Sequence, residues 1–189
     1  MTKKNKKFII HPLTAVFMLL ALRGAPSLFG MILLCSSLHE LGHYFTARLL
    51  GLKLTALTVY PFGADMVLTP PLRSYGTDIA VHLSGPVLNV MLGGVGHITG
   101  AGELFCTCNM TLGILNLLPL LGLDGGNALY SLICTVTDPK RAYGILKAVT
   151  VLLSVAVWVA SVYLMLVLGS DPSLFFIASA VFFTTVTRK

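Results

Sequence analysis

The chain has 189 residues, of which 56% are hydrophobic and only 11% charged. A soluble domain of this size carries about 25% charged residues, so the composition excludes an ordinary water-soluble globule and points to a membrane protein. The net charge of +6 then reads as a record of orientation, since Lys and Arg gather on the cytoplasmic side of membrane proteins, and no nucleic acid is expected as a partner.

A bilayer core about 30 Å thick takes roughly 20 apolar residues per helix, which leaves room for about six spans and none for a second soluble domain. The expectation is therefore an all-α membrane protein with a single domain over 1–189. Taken in chain order, Phe8–Leu22 is the first expected span. It follows Lys3, Lys4, Lys6 and Lys7 as a signal peptide would, but Arg23-Gly24-Ala25-Pro26 is a poor cleavage site, so a retained span is expected. Ser27–Leu50 is the second span. Leu54–Tyr60 and Asp65–Thr69, rich in Thr, Val and Leu and separated by Pro61-Phe62-Gly63, read as a short β-hairpin closed by Pro70-Pro71. Its edges need hydrogen-bond partners, which places it at the membrane surface or in a protein-lined cavity. Ile79–Thr99 and Leu104–Leu118 follow as spans, then a shorter apolar piece, Ala128–Val136, then Ala148–Leu168 and Leu174–Val186.

Charge tests this map. With the N-terminus inside, six crossings put twelve of the thirteen Lys and Arg residues on the cytoplasmic side and leave Arg23 alone outside. Both termini are thus expected in the cytoplasm of a multi-pass chain in the cell membrane. The four cysteines, Cys35, Cys106, Cys108 and Cys134, form no CxxC pair, so they read as small buried hydrophobes.

The second span contains His39-Glu40-Leu41-Gly42-His43. Residues four apart on a helix lie one turn apart on one face, so both imidazoles can meet one metal, with Glu40 beside that face within reach of a bound water. Zinc suits two neutral imidazoles, a carboxylate and an open fourth position. Ionisable side chains in a span are costly and usually functional; the bland alternative is a polar cluster that holds helices together. A third ligand is needed, and the best candidate is Asp124, in Asn116-Leu117-Leu118-Pro119-Leu120-Leu121-Gly122-Leu123-Asp124-Gly125-Gly126. A carboxylate between two apolar segments calls for a cation. The competing reading of Asp124 is a helix N-cap for the apolar piece that follows. His82 and His97, near opposite ends of the third span, read as satisfied buried or interfacial histidines, and His11 carries no motif.

HELGH in a span followed by NLLPLLGLDGG resembles the site-2 protease family of intramembrane metalloproteases, whose pattern is HExxH with NxxPxxxxDG. Tyr60-Pro61-Phe62-Gly63, and Ser84-Gly85-Pro86 with Asn89, resemble its stage IV sporulation protein FB branch. The likeness covers about residues 30–135. Members often carry proline where Gly122 stands and arginine where Asn127 stands, and this sequence shows no CBS or PDZ module. No nucleotide partner is therefore expected.

The resemblance implies one zinc per chain held by His39, His43 and Asp124, with Glu40 as general base. It further implies a membrane-protein substrate, a membrane regulator, and activation of a membrane-tethered transcription-factor precursor, and it leaves a sporulation role open. Asn116 is a candidate donor to the substrate backbone or the oxyanion, against a helix-to-helix hydrogen bond as the plain alternative. Pro61, Phe62 and Gly63 are candidates for substrate contact through the hairpin. Two other functions compete: a metal-ion transporter using the same His/His/Asp site, which would make no use of Glu40, and an inactive relative that binds membrane segments without cutting them.

Overall fold

The computed structural model describes residues 7–10, 23–60, 63–69, 74–169 and 172–187. The chain divides into two compact units, Met1–Leu117 and Leu118–Lys189.

The first unit contains strand β1 (Lys7–Ile10), helix α1 (Pro26–Leu49), strands β2 (Lys53–Tyr60) and β3 (Gly63–Thr69), and helices α2 (Tyr75–Thr99) and α3 (Glu103–Leu117). Proline opens α1, where its fixed φ helps and its missing N–H costs nothing. The helix closes in a Schellman turn. Gly51 takes φ 78°, its N–H donates to Arg48 O at 3.1 Å, and Leu52 N–H donates to Ala47 O at 2.9 Å. Ala47, Leu52 and Val81 pack together beneath that turn, which fixes the exit of α1 against α2. Ser74 caps α2 by accepting from Thr77 N–H at 3.2 Å, and Gly100, at φ 75°, ends it.

The β-structure is larger than the expected hairpin. Its order is β1-β2-β3, with β1 parallel to β2 and β2 antiparallel to β3 from Lys53↔Thr69 to Tyr60↔Gly63. Phe8, at which the first expected span begins, is therefore in a strand. Phe8-Ile9-Ile10 is too short a run for periodicity to separate strand from helix, and pairing it with β2 covers an edge that would otherwise stand open. Residues 11–22 lie outside the described residues. The mostly helical fold with a β-hairpin after α1 is as expected, and β1 enlarges that hairpin to a three-stranded sheet.

The second unit contains α4 (Asp124–Cys134), α5 (Pro139–Val167) and α6 (Ser173–Thr187). Asp138 caps α5 by accepting from Arg141 N–H at 3.0 Å, so this helix begins well before the apolar run that suggested it. Trp158 Nε1–H donates to Ser179 Oγ at 3.0 Å and stacks on Phe182, tying α5 to α6.

Two of the described helices, α2 and α5, are long and apolar enough to cross a membrane. The helix α1 matches them in length but carries His39, Glu40 and Arg48. The helices α3, α4 and α6, at 15, 11 and 15 residues, are shorter than the roughly 20 a bilayer core needs. Several polar side chains are nonetheless buried while many large apolar ones face outward. Asn89 and Asn109 are fully buried and Thr150, Ser154 and Ser161 nearly so, while Leu49, Leu152 and Leu166 are 87%, 70% and 72% exposed. Large apolar side chains facing outward, with polar groups hydrogen-bonded inside, suit a hydrocarbon solvent.

Candidate metal centre

The buried positions of α1 include Cys35, His39, Gly42, His43 and Ala47, spaced at three and four so that they form one face. His39 and His43 are 6% and 7% exposed, their ring planes stand at 81°, and their Nε2 atoms are 3.1 Å apart. The other nitrogen of each ring is engaged by α2. His43 Nδ1 lies 2.7 Å from Val81 O. A carbonyl only accepts, so Nδ1 carries the proton and a neutral ring presents a lone pair at Nε2. His39 Nδ1 lies 3.0 Å from Asn89 Oδ1, which leaves its Nε2 in the same state.

Two lone pairs at 3.1 Å repel unless something positive lies between them. Nitrogens about 2.0–2.1 Å from one zinc at a tetrahedral angle stand about 3.3–3.4 Å apart, so the pair fits the ion with a few tenths of an ångström of opening. Space is kept for it by the helix crossing. A Cβ on Gly42 would sit 2.8 Å from Ser84 O and 3.0 Å from Gly85 Cα, so Gly42 lets α1 and α2 touch by their backbones. A Cβ on Gly85 would collide with His43 Nε2 and come within 2.9 Å of His39 Nε2. Only glycine avoids that collision.

Glu40 follows His39 on α1 and is half-buried. In the second unit, Asp124 is the first residue of α4, and the residue in the capping position is Leu123, with no side-chain cap. The competing reading of Asp124 as N-cap is thereby displaced by one residue, although a carboxylate in the first turn still meets the positive end of the helix. The turn ahead of it is built locally. Gly122 takes φ 95°, Leu123 N–H donates to Leu120 O at 3.1 Å, and Leu121 N–H donates to Thr150 Oγ1 at 3.0 Å. Proline cannot adopt that φ, so the turn as built here requires a residue such as Gly122. His39 and His43 in the first unit, and Asp124 in the second, are each of a type that can give a metal one ligand atom.

Asn116 donates from Nδ2 to Leu112 O on its own helix at 2.9 Å. Gly63 begins β3, while Pro61 and Phe62 lie outside the described residues. Reading the sequence missed Asn109, whose signal was available as one of two amides, with Asn116, in the apolar run Leu104–Leu118. It undervalued Gly85 and Asn89, noted only as features of the resemblance.

No family model matches the chain. The chain is 32% identical over 141 residues to a Synechocystis sp. protein whose name assigns it to the zinc metalloproteases, a match covering 66% of this chain and 37% of that one. It is 26% identical over 132 residues to a zinc metalloprotease of Methanocaldococcus jannaschii, covering 64% and 37%. It is 31% identical over 113 residues to a protein of Mycobacterium tuberculosis also named among the zinc metalloproteases, covering 51% and 29%. These matches thus span 29–37% of the curated relatives' length. Among solved structures it is similar to the site-2 protease from Methanocaldococcus jannaschii, with a TM-score of 0.64 and 19% identity over 95% of this chain and 88% of that one. That likeness is one of fold.

Proposed function

We propose that this chain is an intramembrane zinc metalloprotease of the site-2 protease family, of the stage IV sporulation protein FB-like branch, hydrolysing peptide bonds of membrane-associated or transmembrane substrates. One observation carries the reading: two buried imidazoles with facing Nε2 atoms 3.1 Å apart, on the same helix as Glu40. A cation site alone needs the histidines; a neighbouring carboxylate adds a base.

In this reading His39, His43 and Asp124 hold one zinc. Bound zinc supplies a water whose pKa falls towards about 7 and a Lewis acid for the scissile carbonyl. Glu40 takes a proton from the attacking water and returns it to the leaving amine. The glycine crossing keeps the approach to the imidazoles open, and α2 holds both rings through their Nδ1 atoms. Asn116, if its amide leaves Leu112, donates to the substrate backbone or to the developing oxyanion. A helical substrate shields its own carbonyls, so it must unwind first. Among the described residues β1 and β3 flank β2, so the outer edge of β3 is a place for the unwound segment to add as a strand, with Pro61, Phe62 and Gly63 as candidate substrate contacts.

The chain crosses the cell membrane six times with both termini cytoplasmic, cuts under the control of a membrane regulator, and releases a membrane-tethered transcription-factor precursor. The outward-facing apolar side chains and the one-sided basic residues support the crossings. Tags near Arg73 and Lys140 should report the cytoplasm and a tag near Asp171 the outside; an external result near Arg73 would overturn this placement. Zinc-loaded protein should cleave a tagged membrane substrate and lose that activity on chelation. Cleavage that survives complete metal removal would exclude the proposed chemistry.

A further inference from the structure

The buried amides of the first unit form a chain whose direction is fixed at both ends. Asn109 Nδ2 donates to Phe105 O at 3.0 Å, which turns Asn109 Oδ1 towards α2. Asn89 Nδ2 donates to that Oδ1 at 2.9 Å and to Cys35 O at 3.2 Å. Both of its N–H groups are thus spent on acceptors, and Asn89 Oδ1 alone faces His39 Nδ1 at 3.0 Å. Phe105 O and Cys35 O are carbonyls and cannot donate, so neither amide can turn over without setting oxygen against oxygen. The two amides are fully buried, where no water replaces a lost partner and each misplacement carries its full cost.

We propose that Asn89 and Asn109 are positioning residues for the metal centre, a relay from α3 through α2 that locks His39 in the Nδ1–H form and aims Nε2 at the ion. The inference rests on the metal-centre reading given above. His43 reaches the same state by a different route, through Val81 O, which also accepts from Ser84 Oγ at 2.6 Å. One imidazole is therefore held by backbone and the other by side chains, and only the second can be retuned by substituting a residue that touches neither metal nor substrate.

The plain alternative is that the amides only pin α1, α2 and α3 together, and the two roles separate by chemistry. Asn89→Asp keeps an acceptor for His39 Nδ1 but loses both donors that bind Cys35 O and Asn109 Oδ1. Asn89→Leu loses everything. Zinc affinity is measured on the full chain in detergent by competition with a chromophoric chelator, together with the d–d spectrum of the cobalt-substituted protein and the helix content of the metal-free form. The relay predicts that Asn89→Leu lowers zinc affinity by about 10–100-fold and alters the cobalt spectrum, in the range found for partners of metal-bound histidines. It predicts that Asn89→Asp stays within a few-fold of wild type. Asn109→Leu, one step further out and still leaving Asn89 its bond to Cys35 O, should lower affinity by about 3–10-fold, and it serves if Asn89→Leu does not fold. Asn89→Asp binding as weakly as Asn89→Leu, or Asn109→Leu binding like wild type, would overturn the relay while leaving the metal centre in place. Wild-type chain that takes up no metal would overturn both.

Discussion

The histidine pair and the turn before Asp124 are two halves of one proposed donor set, built by opposite means. His39 and His43 are held by partners 50 and 38 residues away, on a helix that approaches only because Gly42 and Gly85 lack side chains. Asp124 is set mainly by its neighbours: the left-handed Gly122, the Leu120–Leu123 bond and the first turn of α4. A distant support of that turn is the Thr150 hydroxyl, 29 residues on from Leu121. A site held by long-range contacts reports on packing, whereas one held by a local turn reports on backbone conformation, so substitutions in the two should fail differently.

The largest effects should come from the donors themselves. His43→Ala and Asp124→Ala should each remove most of the zinc from purified protein, as metal analysis would show. Asp124→Ala with full zinc content would take the local half out of the ligand set. Next comes the glycine crossing. Gly85→Ala places a methyl where the imidazole nitrogens face each other and should lower zinc affinity by at least ~10-fold, comparable to losing a histidine's partner, while metal-free helix content stays near wild type. In the local half, Gly122→Ala forces an L-residue into φ 95° and should cost about 1–2 kcal/mol in the melting of the second unit. Thr150→Val should have the smallest effect. It removes the acceptor of Leu121 N–H and should cost about 1–2 kcal/mol at most, with zinc affinity little changed. A larger loss of zinc from Thr150→Val than from Gly85→Ala would reverse the contrast between the halves.

How far the sequence could be read follows the same division. HELGH was legible because i,i+4 spacing is a helical property that survives any packing, and Asp124 because a carboxylate between apolar segments needs an explanation. The helix ends were less so. The helix α5 starts at Pro139 because Asp138 caps it, and a search for apolar runs passes over a polar first turn. Strand β1 was misjudged because three apolar residues carry no period, and what makes them a strand is the edge of β2, far along the chain. Asn109 was missed for a related reason. An amide in an apolar helix announces that it has a partner, but its partner, Asn89, is known only once α2 and α3 are packed. The outward-facing apolar side chains, Leu49 and Leu166 among them, agree with what 56% hydrophobic residues implied, while the number of crossings depends on helices too short or too polar to announce themselves.

The central claim is that Glu40 acts as a base beside a metal rather than as part of the scaffold. Glu40→Gln keeps the shape and a hydrogen-bonding amide but cannot accept a proton. Zinc content and cleavage of a tagged membrane substrate should be measured on the same preparation. The account predicts a full complement of zinc, unchanged helix content, and cleavage lowered by a factor on the order of a hundred or more. Near-normal cleavage by the zinc-loaded Gln variant would contradict it.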